Sequence, residues 1–201
     1  MTANNNTRDF PTTQQLKNEL DRLNFEKKYI STLMSTFGAI LVAAAAVVLI
    51  SVFFLPIYRI SGGSMTPSLS AGDIVLCGRS SDVSKGDIIA FYHNKKVLIK
   101  RVIAFSGDTV DISEDGRITV SGKLLTEDYI SDFSLGECDI EFPYTVPTNK
   151  YFVVGDNREH SVDSRSTAVG CVSEEDIIGR IYAVIWPSDR FRAFRSGGSD
   201  E

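Results

Sequence analysis

The chain has 201 residues, a length that suits one compact domain with an additional segment. Residues 58–201 contain 16 lysine and arginine residues against 22 acidic ones, and this net charge of −6 argues against a nucleic-acid-binding protein, which needs a basic face. Cys77, Cys138 and Cys171 lack the close pairs of a zinc site or a disulfide framework, so no metal and no cofactor is expected. Each cysteine is predicted to be a small apolar filler in a strand. The sequence does not decide whether two of the three form a disulfide.

Residues 1–36 are predicted to form a cytoplasmic segment, of which residues 1–11 are polar and expected to be mobile. Thr12 and Gln15 have the spacing of a capping box, which predicts the start of a helix. Leucines follow at helical intervals: Leu16, Leu20 and Leu23. This pattern predicts a short amphipathic helix, which serves either as a solvated lead-in to the next segment or as a surface for a partner.

Residues 37–57 form the one membrane-length apolar segment of the sequence. They contain no charge over 21 positions, and a helix of that length spans a hydrocarbon core of about 30 Å. Signal peptides have a shorter apolar part and a small-residue cleavage site, so an uncleaved transmembrane helix is predicted. Positive charges concentrate before it, at Arg22, Lys27 and Lys28. Only Arg59 lies close after it, which predicts a cytoplasmic N-terminus and an extracytoplasmic remainder.

After residue 57 the spacing of apolar residues changes from helical to strand-like. No long helical pattern recurs apart from a short turn predicted at 173–177. The predicted strands are 74–76, 87–92, 97–104, 109–112, 118–120, 151–154 and 181–186. Hairpin turns are predicted at Asp115-Gly116 and Ser121-Gly122. A mainly β domain is therefore expected over 58–190, followed by a mobile C-terminal tail over 191–201.

Ser64 is a candidate nucleophile, although a serine after two glycines is most often a plain loop residue. Because Gly62 and Gly63 have no side chains, a substrate backbone can approach closely. The Ser64 N–H can then donate a hydrogen bond to the oxyanion that develops during the reaction. A serine nucleophile needs a base. The two histidines, His93 and His160, lie in polar surroundings typical of surface histidines, and the sequence has no Gly-x-Ser-x-Gly motif.

Lys100 is a candidate base because its surroundings are apolar. In a strand, residues two apart share a face, so Lys100 lies with Leu98, Val102 and Ala104. Loss of water there lowers the pKa of a lysine, and a shift from about 10.4 toward 7–8 is within what burial supplies. The alternative is that Lys100 extends its charged end to the surface along its own stem. On the strand pattern alone, neither alternative is preferred.

Four stretches, in this order, resemble the sequence boxes of type I signal peptidases: 64–69, 72–75, 100–108 and 155–165. The resemblance covers about 51–187, and the last two boxes are long enough to be highly specific. It implies a β-rich catalytic core shared with self-cleaving SOS repressors, preceded by a single transmembrane helix. About 46 residues separate Asp108 from Gly155, which leaves no room for a large accessory domain and resembles the short Gram-positive form.

By this resemblance Ser64 is the nucleophile, Lys100 is the general base and Ser161 orients the lysine. Residues implied to support the site are Asp156, Asn157, Asp163 and Arg165, the last two as an ion pair. Residues expected at the oxyanion and the substrate backbone are Gly62, Gly63, Ser64 and Met65. Met65 and its apolar neighbours are expected to shape shallow pockets for small residues or to contact lipid. Some members of the family carry a hydroxyl at the position of Gly62, so the Ser64 amide must do more of the oxyanion binding here.

The resemblance implies a membrane-anchored serine endopeptidase that removes signal peptides from exported preproteins, which carry small residues at the first and third positions before the cut. The partners implied are these preproteins, the lipid bilayer and the secretion translocon. Because Ser64 follows Ile57 by seven residues, enzyme and substrate are expected to meet at the membrane surface, where confinement raises the effective concentration. Two alternatives to this endopeptidase remain. One is a membrane-anchored domain that only binds extended peptides, and the other is a peptidase that processes only a few exported proteins.

Overall fold

The computed structural model describes residues 12–54, 56–79 and 82–195. The polar segment 1–11 and the tail residues 196–201, predicted to be mobile, lie outside the described residues. The chain divides into two compact units, Met1–Ile50 and Ser51–Glu201.

The described part of the first unit belongs to one helix, α1 (Thr13–Phe54), whose last four residues fall in the second unit. The Thr12 N–H donates to Gln15 Oε1 at 2.9 Å, which confirms the predicted capping interaction. The lead-in helix and the apolar segment form one continuous helix because α1 contains no proline and only one glycine, Gly38. Within the described ranges, α1 is the one helix long and apolar enough to cross a membrane by its length and composition.

The predicted end of the apolar helix at Ile57 is wrong by three residues. The helix ends at Phe54, and Ile57 already pairs with Leu76 in a sheet. Pro56 accounts for the difference, because proline cannot continue a helix and disfavours helical backbone in the residue before it.

The second unit is mainly β, as predicted, and its described part contains twelve strands. They are β1 (Ile57–Arg59), β2 (Ile74–Gly78), β3 (Ile88–His93), β4 (Lys96–Ala104), β5 (Thr109–Ile112), β6 (Ile118–Val120), β7 (Lys123–Leu124), β8 (Tyr144–Thr145), β9 (Lys150–Val154), β10 (Val172–Ser173), β11 (Ile177–Trp186) and β12 (Arg192–Ala193). The larger sheet has the order β1-β2-β11-β3-β4-β9-β10, with β12 paired to β11. The smaller sheet has the order β7-β6-β5-β8.

Each predicted strand lies within or overlaps an observed one, and the hairpin turns are also confirmed. Gly116 lies in the turn between β5 and β6, and Ser121 and Gly122 have positive φ values of 49° and 82°, as a tight hairpin requires. A 3-10 helix at Glu174–Asp176 corresponds to the predicted short turn. Five strands of two or three residues were not predicted, including β12 in the expected mobile tail.

Three apolar clusters form the core of this unit. One packs Leu69, after β1, against β2 and β11. Another joins the smaller sheet to β4 and β9 through residues such as Val110 and Phe152. The third lies on β3, β4 and β9. All three cysteines are free, and the prediction of a filler within a strand holds for Cys77 alone.

The predicted site residues lie on three segments of the second unit. Ser64 lies on the connection between β1 and β2, and Lys100 lies within β4. The box 155–165 follows β9, which is the sheet neighbour of β4. Strand pairing therefore places the third segment beside the strand that carries the lysine.

Candidate active site

Lys100 is a buried residue of β4 with 3% of its surface exposed. It lies directly opposite Ile89 of β3, so the two side chains share one face of the sheet. Leu98 and Val102 are on this face as well, and both pack in the apolar cluster that contains Ile89. The desolvated setting predicted for Lys100 is confirmed.

The Lys100 amine begins a directed chain of hydrogen bonds. Lys100 Nζ donates to Ser161 Oγ at 2.9 Å, and the Ser161 hydroxyl donates to Asp163 Oδ2 at 2.6 Å. An ionised carboxylate only accepts and a serine hydroxyl has one proton, so Ser161 must accept from Lys100. The lone pair of an uncharged Lys100 amine is therefore not used by Ser161 and is left for another proton donor.

Arg165 neutralises Asp163 at the end of this chain. Its Nε and Nη2 atoms donate to the two carboxylate oxygens, each at 2.8 Å, and both residues are at most 1% exposed. Further donors of Arg165 bind main-chain carbonyl oxygens of Leu135, Arg158 and Ser161. The Gly155 N–H adds another bond to Asp163, at 2.9 Å. The pair is thus extensively hydrogen-bonded, which buried charges require.

Burial lowers the pKa of the Lys100 amine from its usual 10.5 to about 8. The charge of Asp163 acts in the opposite direction, and that of Arg165 lowers the pKa again. For Asp163 itself, burial acts to raise the pKa, but hydrogen bonds and charge from Arg165 outweigh burial and hold it below the usual value. At neutral pH Asp163 is therefore ionised, and a fraction of Lys100 is uncharged.

Ser64 lies in a tight turn over 63–66. The Thr66 N–H closes the turn by donating to the Gly63 carbonyl oxygen at 3.2 Å. Asn157 holds the turn from the loop after β9, because its main-chain N–H donates to the Ser64 carbonyl oxygen at 3.0 Å. Its side-chain amide donates to the Thr66 hydroxyl at 3.0 Å. The main chain of Ser64 is thereby fixed relative to the loop that carries Ser161.

Gly155 is packed between Ser64 and Ser161, where no side chain fits. A Cβ atom on Gly155 would lie 2.5 Å from the Ser64 carbonyl oxygen and 2.6 Å from Ser161 Cβ, closer than Cβ atoms approach other atoms. The glycine therefore brings the backbone of Ser64 next to the serine that binds Lys100. Ser64 is half-buried, and the hydrogen bond of the Lys100 amine goes to Ser161 and not to the Ser64 hydroxyl.

Asp156 pairs with Arg101, the neighbour of Lys100 in β4. Arg101 Nε and Nη2 donate to the two carboxylate oxygens at 2.8 and 2.6 Å, and Nη2 also reaches the Ser68 hydroxyl at 3.1 Å. One side chain thus connects β4, the loop after β9 and the segment that follows Ser64. Arg101 is absent from the predicted site, although a second cation in the same apolar strand was a signal that an anionic partner lies nearby.

A third buried ion pair, also absent from the predicted site, joins Arg158 to Glu127. Arg158 donates to the Glu127 carboxylate through Nη1 and Nη2, and its Nε donates to the Gly155 carbonyl oxygen at 3.2 Å. The Tyr129 hydroxyl donates to Glu127 at 2.7 Å, and Arg101 Cζ lies 3.9 Å from the Tyr129 ring centre. Burial, with the Glu127 charge, raises the pKa of Tyr129 and keeps this hydroxyl protonated. No local pattern distinguishes Glu127 from the exposed acids around it.

The remaining predicted residues lie in varied surroundings. Gly62 and Gly63 are exposed, with open space where a Cβ atom would lie. Met65 is 2% exposed and packs in the core with Ile60 and Leu69, so the expectation of lipid contact is wrong. Among the described residues, no group of three or more His, Cys, Asp or Glu side chains is arranged to hold a metal ion.

Known proteins resemble this chain over most of its length. The family model described as signal peptidase, peptidase S26, matches residues 33–186. The chain is 32% identical over 180 residues to signal peptidase I P of Bacillus subtilis subsp. natto, covering 83% of this chain and 96% of that protein. It is 32% identical over 174 residues to signal peptidase IB of Staphylococcus aureus (strain N315), covering 77% and 90%. A crystal structure of a signal peptidase I from Enterococcus faecalis matches with 33% identity and a TM-score of 0.41, covering 49% of this chain and 96% of that chain.

The lowered pKa of Lys100 makes stability depend on pH. The folded amine loses its proton near pH 8 and the unfolded amine near 10.5, so the unfolded state binds more protons between these values and stability rises with pH there. A drop of this size corresponds to roughly 3 kcal/mol. Relative to Lys100→Met, which has no amine, the wild type should gain about this free energy of unfolding between pH 8 and 10.5. Urea denaturation, followed by the fluorescence of Trp186, measures it.

The matched control is Lys96→Met, at an exposed lysine of the same strand. The difference in free energy of unfolding between Lys96→Met and the wild type should not rise between pH 8 and 10.5. If Lys100→Met and Lys96→Met gave the same pH dependence, the desolvation of Lys100 would be refuted.

Proposed function

Since the chain belongs to the signal peptidase family, peptidase S26, we propose that Ser64 and Lys100 carry out its chemistry. The chain is a serine endopeptidase that removes signal peptides from preproteins. In the proposed dyad Ser64 is the nucleophile and Lys100 is the general base. The observation that carries this assignment is the buried Lys100 amine, which is bound to Ser161 and has its pKa lowered to about 8 by burial.

The first step is the activation of the serine. With a pKa of about 8, roughly a tenth of the Lys100 amine is uncharged at pH 7, and its free lone pair accepts the Ser64 proton. Ser161 holds the amine by one N–H, so rotation about the last bond of the lysine is restricted. In substrate-free enzymes catalytic hydrogen bonds are often long, and we expect the Ser64–Lys100 contact to tighten when substrate binds.

Ser64 then attacks the carbonyl carbon before the cut, and the negative charge on the carbonyl oxygen needs a donor. The Ser64 N–H has no hydrogen-bond acceptor within the described part of the chain, although its residue lies in a closed turn. This amide is therefore available to the oxyanion. Because Gly62 has no hydroxyl, we expect the main chain of the turn to do most of this work.

The protonated Lys100 gives its proton to the departing amine, and the signal peptide stays bound to Ser64 as an ester. Lys100 then takes a proton from water, which attacks the ester and releases the signal peptide. Asp163 stays ionised throughout, because Arg165 compensates its charge. Asp163 and Arg165 position Ser161, while Asp156 and Asn157 hold the loop and the nucleophile turn.

The open space at Gly62 and Gly63 supports an extended substrate that runs along the residues before Ser64. Small residues at the first and third positions before the cut fit this close approach. We assign the recognition of the substrate backbone to Gly62, Gly63, Ser64 and, through the shape of the core beneath the turn, to Met65.

The apolar part of α1 is compatible with a membrane anchor. We propose a single-pass protein of the cell membrane with segment 1–36 in the cytoplasm and the catalytic unit outside. The charge difference across the apolar segment supports this orientation, with Arg22, Lys27 and Lys28 before it and Arg59 after it. Preproteins are then met at the outer surface, with the bilayer and the secretion translocon as partners.

The pH dependence of kcat/KM tests the base. Below a pH of about 8 the rate should fall about tenfold per pH unit, because the protonated Lys100 cannot accept a proton. Lys100→Arg should have no measurable turnover, since a guanidinium does not deprotonate in proteins. The exposed Lys96→Arg is the control and should retain the wild-type profile. Turnover by Lys100→Arg of a signal-peptide-bearing preprotein would exclude Lys100 as the base.

Ser161→Ala tests the positioning of the amine. It should lower kcat by about 10²-fold or more with little change in KM, because the substrate still binds but the lysine is no longer held. Ser164→Ala is the control, since this buried hydroxyl bridges the Val153 N–H and the Gly170 carbonyl oxygen without touching Lys100. It should lower stability without a selective loss of kcat. A pure KM effect in Ser161→Ala would contradict the positioning role.

Protease treatment of intact spheroplasts tests the orientation. A tag at the N-terminus should be protected and a tag at the C-terminus should be lost, and both should be lost after permeabilisation. Protection of the C-terminal tag alone would place the catalytic unit inside the cell.

A further inference from the structure

A cleft lies beside the nucleophile turn and has no role in the hydrolysis described above. Its volume is about 460 Å³, within the range of roughly 300–1,000 Å³ that is usual for ligand pockets. Three chain segments line it, through Thr66 and Pro67, through Asn157 and Glu159, and through Asp132 and Phe133. We refer to it as the 132/159 cleft. It adjoins the turn of Ser64 because Thr66 closes that turn and accepts a hydrogen bond from Asn157.

The wall of the cleft at 131–134 is held in place by buried contacts on both sides. Before it, Glu127 forms its ion pair with Arg158. After it, the carbonyl oxygen of Leu135 accepts a hydrogen bond from Arg165 at 2.7 Å. Both arginines belong to the loop that positions Ser161. The cleft is thus built on the same support as the proposed catalytic groups and needs no rearrangement to form.

The net charge that faces the cleft is negative. The charge of Asp156 is compensated by Arg101, and that of Arg158 by Glu127. Asp132 and Glu159 are exposed, and within the described ranges neither carboxylate forms an ion pair. Two uncompensated carboxylates therefore remain at the cleft, on two different segments of its lining.

We propose that the 132/159 cleft binds the segment of the preprotein that follows the cut, and that Asp132 and Glu159 favour lysine or arginine in that segment. This inference rests on the proposed function. There, the substrate before the cut runs along Gly62 and Gly63, on the N-terminal side of Ser64. The chain after the cut leaves on the other side of the serine, where Thr66 and Pro67 lead into the cleft.

The chemistry of the substrate also indicates that the cleft binds the residues after the cut. A signal peptide has small residues at its cleavage site and an apolar region before them, and its positive charges lie at the far N-terminal end. A polar cleft with two carboxylates does not match the apolar and small residues before the cut. A cationic side chain within reach of Ser64 must come from the residues that follow the cut.

The test uses the full-length chain in detergent and preproteins that differ at one position. Lysine, glutamine or glutamate is placed at each of the second to fifth positions after the cut, and kcat/KM is measured for each. The wild type should prefer lysine over glutamate by about three- to tenfold at one or more positions. The ratio should shrink as ionic strength rises, because exposed charges are screened. The double variant Asp132→Asn/Glu159→Gln should bring the ratio close to one.

The control Glu114→Gln/Glu175→Gln removes the same charge from two exposed sites outside the cleft, and the wild-type ratio should persist. An equal loss of preference in this control would overturn the assignment, since the effect would then come from the overall charge. A wild-type ratio of one at all four positions would overturn it as well, while leaving the hydrolysis intact. If the wild type cut none of the preproteins, the proposed function itself would fail.

Discussion

The burial of the Lys100 amine is the constraint on which the site depends. Loss of water lowers the pKa of the amine to about 8, which lets it serve as the base of the proposed dyad without a histidine. The lowered pKa persists only if nearby negative charge is compensated, because Asp163 on its own acts to raise it. Arg165 provides that compensation with hydrogen bonds to both carboxylate oxygens. Ser161 can then take its orientation from an ionised carboxylate without the amine becoming permanently charged.

A loop, and not a strand, carries Ser161, so its position has to be fixed by side chains. Three buried ion pairs serve this purpose: Arg165 with Asp163, Arg101 with Asp156, and Arg158 with Glu127. The second connects the loop to β4, and the third connects it to the segment between β7 and β8. Loss of one partner from such a pair typically costs about 3–5 kcal/mol, since an uncompensated charge stays buried. The loop is therefore held as firmly as an element of regular structure.

Local patterns in the sequence predict those features that depend on near neighbours. Alternation in β4 places Lys100 on a face with apolar neighbours but leaves its burial undecided, and Ser121-Gly122 predicts a hairpin, in which both residues adopt positive φ. The partners of Arg101 and Arg158 lie 55 and 31 positions away, and their pairing depends on the order of strands in the sheets. That order places β11 between β2 and β3, which no local pattern encodes. Strands of two or three residues, such as β1 and β12, are too short to show a period.

The same electrostatics restrict where charge for substrate recognition can lie. An uncompensated carboxylate buried near Lys100 would raise the pKa of the amine and remove the base. Asp132 and Glu159 avoid this because they are exposed, where solvent and salt screen their charge over about 10 Å. A cationic residue bound between them cancels their negative charge, which can only favour the uncharged amine. An acidic residue in the same place would be repelled and would also favour the protonated amine, so the substrates that the cleft attracts are those whose binding leaves the base ready to act.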